Sequence, residues 1–155
     1  VLALADALRA EGIEIGHIDA GGGLGIRYRP EDEPPTITQY VRTLVEGLVE
    51  RRVRIMVEPG RSMVGNAGVL LTRVEYVNAT PERCFVVVEA AMNDLIRPAL
   101  YDAWHDIRPV AARASAQARP CQVVGPVCES GDFIGRDRML AVEAGGLLAV
   151  MSAGA

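Results

Sequence analysis

Lysine is absent from the 155-residue sequence, in which all sixteen basic residues are arginine. A nucleotide-binding P-loop ends in Gly-Lys-Ser or Gly-Lys-Thr, so that class of phosphate site is excluded. Acidic residues outnumber basic ones and give a formal charge of −4. A negative chain is a poor partner for nucleic acid when binding depends on non-specific charge attraction.

Cysteine and long apolar runs are also scarce. Cys84, Cys121 and Cys128 show no CxxC spacing, so the sequence contains no zinc motif. An odd, low count of cysteines is typical of a reducing compartment. No apolar run approaches the roughly 20 residues that cross a bilayer, and residues 1–10 lack the features of a secretory signal. We therefore expect a cytoplasmic protein with no membrane partner.

The first 57 residues show the patterns of alternating helices and strands. The patterns predict helices over residues 1–10 and 37–49 and strands over residues 15–19 and 53–57. Thr36 and Gln39 have the spacing of a capping box and mark the start of the second helix. The order strand, loop, helix, strand predicts a βαβ unit of a parallel sheet.

The pattern changes near residues 62–68 and becomes mainly β. Strands are predicted over residues 69–77, 84–89, 121–124 and 147–151, and a solvated loop is predicted over residues 111–119. The fold class is therefore α/β plus β, with an α/β part over residues 1–66 and a β part over residues 67–155.

Two loops that follow predicted strands contain the candidate phosphate-binding glycines. We call Gly21–Gly23 the glycine loop and Glu58–Arg61 the Glu58 loop. Glycine lets backbone N–H groups approach an anion closely. A dinucleotide fingerprint is excluded because Ile26 stands where its third glycine belongs. Taken alone, each loop is equally compatible with a tight turn, the second one flanked by a surface ion pair.

Two further segments, residues 91–101 and 124–132, also follow predicted strands. They read Ala-Met-Asn-Asp-Leu-Ile-Arg-Pro-Ala-Leu-Tyr and Val-Gly-Pro-Val-Cys-Glu-Ser-Gly-Asp. The glycine loop, the Glu58 loop and these two segments follow one another along the chain. In that order they make the chain resemble the bacterial diaminopimelate decarboxylases. These belong to the alanine-racemase-like, fold-type III enzymes that use pyridoxal 5′-phosphate (PLP). The resemblance extends from about residue 15 to residue 155.

The resemblance implies a fold and a cofactor site. It implies the last strands and helices of a PLP-binding (β/α)8 barrel, followed by part of a β-sandwich or β-barrel domain. The residues that match the family's cofactor site are Gly21, Gly22, Gly23, Glu58, Pro59, Gly60 and Arg61. In this resemblance Glu58 pairs with the pyridine nitrogen, which a nearby anion keeps protonated.

The resemblance also implies a substrate site and a dimer. Arg61, Arg97 and Tyr101 match the group that binds substrate carboxylates, for which the planar arginine fork is suited. Cys128 matches the residue that returns a proton after carbon dioxide leaves, and Glu129 matches a substrate contact. Both would reach the active site of the other subunit of a homodimer.

Each assignment has a structural alternative. Cys128 is also compatible with a buried thiol, and Arg97 with a helix cap or an ion pair. Cys84 and Cys121 lie in strand-like runs and are expected in the core. His17 and His105 are expected to be structural, and Trp104 is expected to serve packing.

The implied activity is conversion of meso-2,6-diaminopimelate to L-lysine and carbon dioxide, within lysine biosynthesis. The alternatives are decarboxylation of another diamino acid or of a carboxylated polyamine, and a non-catalytic paralogue that regulates an active enzyme. PLP enzymes hold the cofactor on a lysine, and this sequence has none. The family's lysine, ring-stacking histidine and C-terminal tyrosine would lie outside these residues. We therefore expect part of a longer chain, inactive alone.

Overall fold

The computed structural model describes residues 1–111 and 117–155, which form two β-sheets and four α-helices. The helices are α1 (Leu2–Ala10), α2 (Ile37–Leu48), α3 (Arg61–Val64) and α4 (Arg97–Tyr101). The strands are β1 (His17–Asp19), β2 (Arg54–Met56), β3 (Val69–Ala79), β4 (Cys84–Val88), β5 (Ile107–Pro109), β6 (Arg119–Val124), β7 (Phe133–Leu140) and β8 (Leu147–Met151). Single 3₁₀ turns at Val49–Arg51 and Gly65–Ala67 follow α2 and α3.

The first sheet is the predicted βαβ unit. Strands β1 and β2 are parallel, with His17 opposite Arg54 and Asp19 opposite Met56, and α2 connects them. Each strand has three residues and is therefore shorter than predicted. A small buried cluster of Ala5, Ile18 and Leu48 joins α1, β1 and α2, so the sheet and its two helices share a core.

Helix α2 begins at the predicted capping box. The Thr36 hydroxyl oxygen accepts the Gln39 N–H at 3.2 Å, and the Gln39 amide oxygen accepts the Thr36 N–H at 2.8 Å. These bonds satisfy backbone donors that a helix start otherwise leaves unpaired. The apolar stripe is only partly buried, because α2 joins the buried cluster only through Leu48, its last residue, in the described chain. The stripe residues that remain exposed are Ile37, Val41, Val45 and Val49.

The second sheet has six strands in the order β5-β8-β3-β4-β6-β7. All neighbours are antiparallel except β4 and β6, which are parallel. The edge strands β5 and β7 approach each other: a Cβ built on Gly135 would lie 2.6 Å from the Ile107 Cδ1. The sheet is thus a nearly closed mixed barrel, which agrees with the predicted β part. Its buried core includes Val74, Val86, Val88, Val123, Ile134, Leu148 and Val150.

Cys84 and Cys121 lie in this core, as predicted, but the structure pairs them as a disulfide. The sequence analysis expected reduced thiols. The parallel register of β4 and β6 sets Phe85 opposite Gln122, which brings the preceding cysteines side by side with Cα atoms 4.6 Å apart. A sequence separation of 37 residues gives no sign of that register. Cys128 is free and exposed.

The part of the chain that the structure describes includes no helix long and apolar enough to span a membrane. Nor do residues 1–111 and 117–155 contain a group of three or more histidine, cysteine or acidic side chains placed to hold a metal ion. The loop predicted over 111–119 falls mainly on residues 112–116, which lie outside the described residues.

Candidate functional site

The glycine loop turns away from the end of β1 because a side chain fixes its first residue. The Asp19 carboxylate accepts the Gly21 N–H at 2.8 Å. Gly21 and Gly23 have φ values of +68° and +98°, and this left-handed region is costly for any residue with a Cβ. The sequence places glycine where the turn requires it.

The glycine loop and the Glu58 loop are in direct contact. The Glu58 N–H donates to the Gly21 carbonyl oxygen at 2.8 Å. A Cβ built on Gly22 would lie 2.5 Å from the Glu58 carbonyl oxygen, a distance that real Cβ atoms do not adopt. Gly22 therefore allows the two loops to meet, and Gly60 folds back onto Glu58 through an N–H to carbonyl bond of 2.9 Å.

The paired loops leave backbone donors free beside open space. Within the described residues, the N–H groups of Gly22 and Gly23 have no hydrogen-bond acceptor. Nothing lies within 4 Å of a Cβ built on Gly21, Gly23 or Gly60. Free amides on an accessible glycine backbone suit a phosphate group. The exposed Glu58 carboxylate beside them suits the protonated ring nitrogen of a phosphorylated pyridine cofactor.

The last described residues lie next to α3, which follows the Glu58 loop. The Ala153 N–H donates to the Gly68 carbonyl oxygen at 2.9 Å, and the Gly154 N–H donates to the Gly65 carbonyl oxygen at 3.0 Å. A Cβ on Gly154 would overlap the Val64 carbonyl oxygen. The end of β8 is therefore attached to the segment that carries Arg61.

A second group of candidate residues surrounds Arg97 at the start of α4. The Arg97 Cζ lies 5.5 Å from the centre of the Tyr101 ring and 5.7 Å from the centre of the Tyr28 ring. Arg97 is half-buried and makes no ion pair within the described chain, whereas Tyr101 is 66 % exposed. The ion-pair and cap alternatives for Arg97 therefore find no support, since α4 has no side-chain cap bond.

His105 lies beneath this group and is fully buried. Its Nδ1 donates to the Met151 carbonyl oxygen at 3.0 Å, and its ring meets the Tyr28 ring edge-on at 5.2 Å. Burial lowers the pKa of His105 below its ordinary value of 6.5, and the nearby Arg97 and Arg138 guanidinium groups lower it further. The imidazole is therefore neutral at pH 7 and adds no positive charge beside Arg97.

Cys128 and Glu129 lie in the loop between β6 and β7, which Asp132 fixes. The buried Asp132 carboxylate accepts the Val127 N–H at 2.8 Å and the Met92 N–H at 2.7 Å. One carboxylate thus joins the two segments that carry the sequence resemblance. Sequence analysis included Asp132 in the motif but gave it no role, because the Met92 partner lies 40 residues away.

The predicted residues form separate groups. The glycine loop and the Glu58 loop are joined, and Arg97 and Tyr101 are joined. No hydrogen bond, ion pair or ring contact among residues 1–111 and 117–155 connects Cys128 or Glu129 with Arg61, Arg97 or the glycine loop. Cys128 and Glu129 are instead exposed at the surface.

The sequence gives no sign that Tyr28 belongs to the Arg97 group, and it predicts a structural role for His105. No spacing rule connects residue 28 with residue 97, since their contact depends on how the loop after β1 packs on α4.

A cavity of about 410 Å³ lies beside this group and is lined by Tyr28, Asn66, Trp104 and Ser152, among others. The indole of Trp104 also contacts Arg29 and Arg138 at 5.1 and 4.8 Å, which fits its predicted packing role.

Comparison with known proteins identifies the class first. A family model described as the C-terminal sheet domain of pyridoxal-dependent decarboxylases matches residues 4–154. The chain belongs to the pyridoxal-dependent decarboxylase family, whose cofactor is pyridoxal phosphate.

The individual relatives are more specific. The chain is 55 % identical over 155 residues to the diaminopimelate decarboxylase of Pseudomonas aeruginosa, covering all of this chain and 37 % of that protein. It is 52 % identical to the enzyme of the same name from Neisseria meningitidis serogroup A, covering 38 % of it. The crystal structure of diaminopimelate decarboxylase from Helicobacter pylori complexed with L-lysine superposes with a TM-score of 0.84 at 38 % identity. The match covers 99 % of this chain and 38 % of that one, so the chain spans less than two fifths of its relatives.

Proposed function

We propose that these 155 residues are the C-terminal part of a diaminopimelate decarboxylase, which converts meso-2,6-diaminopimelate to L-lysine and carbon dioxide. The observation that carries the proposal is the direct contact between the glycine loop and the Glu58 loop, with free amides and a carboxylate on one open surface. The names of the relatives support the choice of reaction and of substrate.

The cofactor would be held by the two joined loops. In this proposal Gly21, Gly22 and Gly23 bind the phosphate with Gly60 and its neighbours Pro59 and Arg61, and Glu58 faces the pyridine nitrogen. When bound, PLP supplies an electron sink for the charge that remains when carbon dioxide leaves. Glu58 strengthens that sink by favouring the protonated ring nitrogen. PLP enzymes hold the cofactor on a lysine, and these 155 residues contain none.

Recognition of the substrate would fall to cationic and polar groups around the paired loops. Diaminopimelate has two carboxylates, so a selective site needs guanidinium groups directed at them. Arg61 and Arg97 can each offer a planar fork of N–H donors, and Tyr101 adds a hydroxyl. Glu129 is the candidate partner for the distal ammonium group, because a carboxylate accepts its N–H donors.

Cys128 would complete the reaction as a proton donor. Loss of the carboxyl group leaves excess electron density on the substrate carbon, which must receive one proton to form the product amine. The exposed Cys128 thiol can deliver that proton from Sγ. Its loop is fixed at both ends by the Asp132 carboxylate, which keeps the thiol in a defined place.

The architecture we propose divides the chain near residue 66. Residues 1–66 would be the last part of a PLP-binding (β/α)8 barrel, and residues 67–155 part of the β domain that follows it. The protein would act as a homodimer in which Cys128 and Glu129 enter the partner's site. That arrangement agrees with their exposure and with their lack of contact with Arg61 or Arg97 in the described chain.

We also propose a cytoplasmic location, because the cysteine count is odd and Cys128 is free. The Cys84–Cys121 pair argues the other way. Alkylation of cell lysates without reductant, followed by mass spectrometry, distinguishes the two states. Two alkylated core cysteines agree with a reducing compartment, whereas a blocked Cys84–Cys121 pair contradicts it.

The reaction is tested with the full-length protein that carries this sequence. Release of carbon dioxide and amine would be measured with meso-diaminopimelate, lysine, ornithine, arginine and a carboxylated polyamine. We expect kcat/KM for diaminopimelate to exceed the others by roughly 10⁴-fold, because a site built to pair with a distal carboxylate rejects analogues that lack it. A preference for another amine overturns the substrate. A protein that binds PLP but decarboxylates none of them overturns the catalytic proposal.

A further inference from the structure

Arg97 lies between two aromatic rings that come from different parts of the chain. Tyr101 is one helical turn further along α4, and its contact follows from the spacing alone. Tyr28 belongs to the loop after β1, and its ring centre is 5.7 Å from the Arg97 Cζ. A guanidinium within about 6 Å of a tyrosine ring centre is attracted by the electron density of the ring. The direction of the Arg97 side chain therefore depends on where Tyr28 is held.

Tyr28 is held from two sides. Its backbone N–H donates to the Asp32 carboxylate at 2.9 Å, which closes the turn that presents the ring. Its ring meets the fully buried His105 edge-on, with the two planes at 80°. His105 is itself fixed to the Met151 carbonyl oxygen at the end of β8. The ring is thus supported by the core of the six-stranded sheet.

The ring of Tyr28, and not its hydroxyl, makes these contacts. The hydroxyl oxygen is buried and has no hydrogen-bond partner in the described part of the chain. The Arg97 Nε is also buried without a partner there, so no hydrogen bond from its inner nitrogen sets the orientation of the guanidinium. The rings of Tyr28 and Tyr101 contact the guanidinium and can set its orientation.

We propose that Tyr28 is a positioning residue, whose ring, supported by His105, directs the Arg97 guanidinium toward a substrate carboxylate. The inference rests on the proposed function, in which Arg97 binds diaminopimelate. Tyr28 itself does not touch the substrate in this proposal. Removal of the Tyr28 ring should therefore weaken substrate binding only by changing how Arg97 is oriented.

The test uses the full-length holoenzyme and compares Tyr28→Leu with Tyr28→Phe. Tyr28→Leu removes the aromatic face and should raise KM for diaminopimelate by roughly 3- to 30-fold, with a smaller change in kcat. Tyr28→Phe keeps the face and should recover most of that loss. PLP affinity, followed by cofactor fluorescence, should stay within about twofold in both variants, because the described contacts of the Tyr28 ring are with Arg97 and His105 and not with the glycine loop.

A double variant separates positioning from a general packing effect. In an Arg97→Ala background, Tyr28→Leu should add little to KM, because its effect passes through the missing guanidinium. If Tyr28→Leu folds poorly, pentafluorophenylalanine at position 28 keeps the shape and reverses the charge distribution of the ring. It should then raise KM relative to Tyr28→Phe.

The outcomes distinguish this inference from the proposed function. If Arg97→Ala weakens diaminopimelate binding while Tyr28→Leu or the fluorinated ring leaves KM unchanged, the positioning role is overturned and the proposed function stands. An equal Tyr28→Leu effect with and without Arg97 overturns it in the same way. If Arg97→Ala leaves kcat/KM for diaminopimelate unchanged, Arg97 is not in the substrate site and the positioning role of Tyr28 fails with it, whereas the decarboxylation itself stands or falls with the substrate comparison described above.

Discussion

At the scale of single residues, Cys128 is the group whose removal tests the chemistry most directly. If its thiol delivers a proton in the transition state, Cys128→Ala in the full-length enzyme should lower kcat by roughly 10²- to 10⁴-fold. PLP binding should be retained, because the substitution leaves the proposed phosphate-binding glycines and Glu58 unchanged. Steady-state kinetics and a cofactor titration measure the two effects.

The matched control for this change is Ser130→Ala in the same loop. Ser130 is exposed, and its hydroxyl donates to the adjacent Glu129 carboxylate at 3.1 Å. We expect a far smaller loss of kcat for Ser130→Ala than for Cys128→Ala. Full activity of the alanine variant at position 128 would overturn the proton-donor role of Cys128 and leave the source of the proton open.

The buried His105 should make the stability of the fold depend on pH. Its pKa is lower in the folded protein than in the unfolded chain, where it is near 6.5. Below pH 6.5 the unfolded state therefore binds more protons, and stability falls as the pH drops toward the folded pKa. The slope from this group cannot exceed about 1.4 kcal/mol per pH unit.

Urea unfolding of His105→Gln and of wild-type enzyme between pH 8 and 5 measures this contribution. The variant should lose less stability on acidification than the wild type. His17→Gln serves as the control, because it removes the other histidine of the sequence at an exposed position. Parallel pH curves for wild type and His105→Gln would contradict the prediction.

At the scale of elements, sequence patterns predicted some units well and missed others for physical reasons. Helix α2 was predicted closely because its cap and its stripe are local. Strands β5 and β7 were missed. The first has three residues and ends in Pro109, and the second interrupts its apolar pattern with charged residues and Gly135. Their pairing is decided by β8 and β6, which are distant in sequence.

The site shows the same division. The glycine loop and the Glu58 loop were predicted to belong together through the resemblance, and they are joined in the structure. The Tyr28 contact and the Asp132 bonds were not predicted, because each depends on the packing of segments that no short motif connects. The sequence thus predicts the loops that carry the candidate binding groups, whereas it does not predict Tyr28 and Asp132, which hold other candidate groups in place.

The cap of α2 provides a test at this scale. Thr36→Ala removes both the oxygen that accepts the Gln39 N–H and the reciprocal geometry of the box. We expect the free energy of unfolding to fall by about 1 kcal/mol. Thr38→Ala is the matched control, because Thr38 is exposed inside the helix and alanine is a better helix former. Denaturant unfolding that ranks the two variants in the opposite order would contradict the role of the cap.

At the scale of the whole molecule, the proposed homodimer can be tested by mixing two impaired variants of the enzyme. If Cys128 serves the partner's site, an Arg97→Ala subunit paired with a Cys128→Ala subunit forms one intact site and one doubly altered site. Random mixing should then restore about a quarter of wild-type activity, since half of the dimers are mixed. The measurement is decarboxylase activity after subunit exchange.

Two controls accompany the mixing experiment. Each variant exchanged with itself should keep its own low activity, and cross-linked subunits that cannot exchange should show no recovery. If mixing restores nothing although mass spectrometry detects mixed dimers, Cys128 and Arg97 act in the same subunit's site. The shared site would then be wrong, even if the enzyme is a dimer.

The Asp132 carboxylate has a consequence for how such an enzyme can diversify. Because it binds the backbone at Met92 and Val127, it fixes the loop between β6 and β7 without using the side chains of residues 128–131. Residues 129–131 can therefore be exchanged for another set while the entry and exit of the loop stay in place. Substrate preference in a laboratory lineage should change most readily by grafting residues 129–131 together, with Cys128 retained as the proton donor and the aspartate retained as the attachment point.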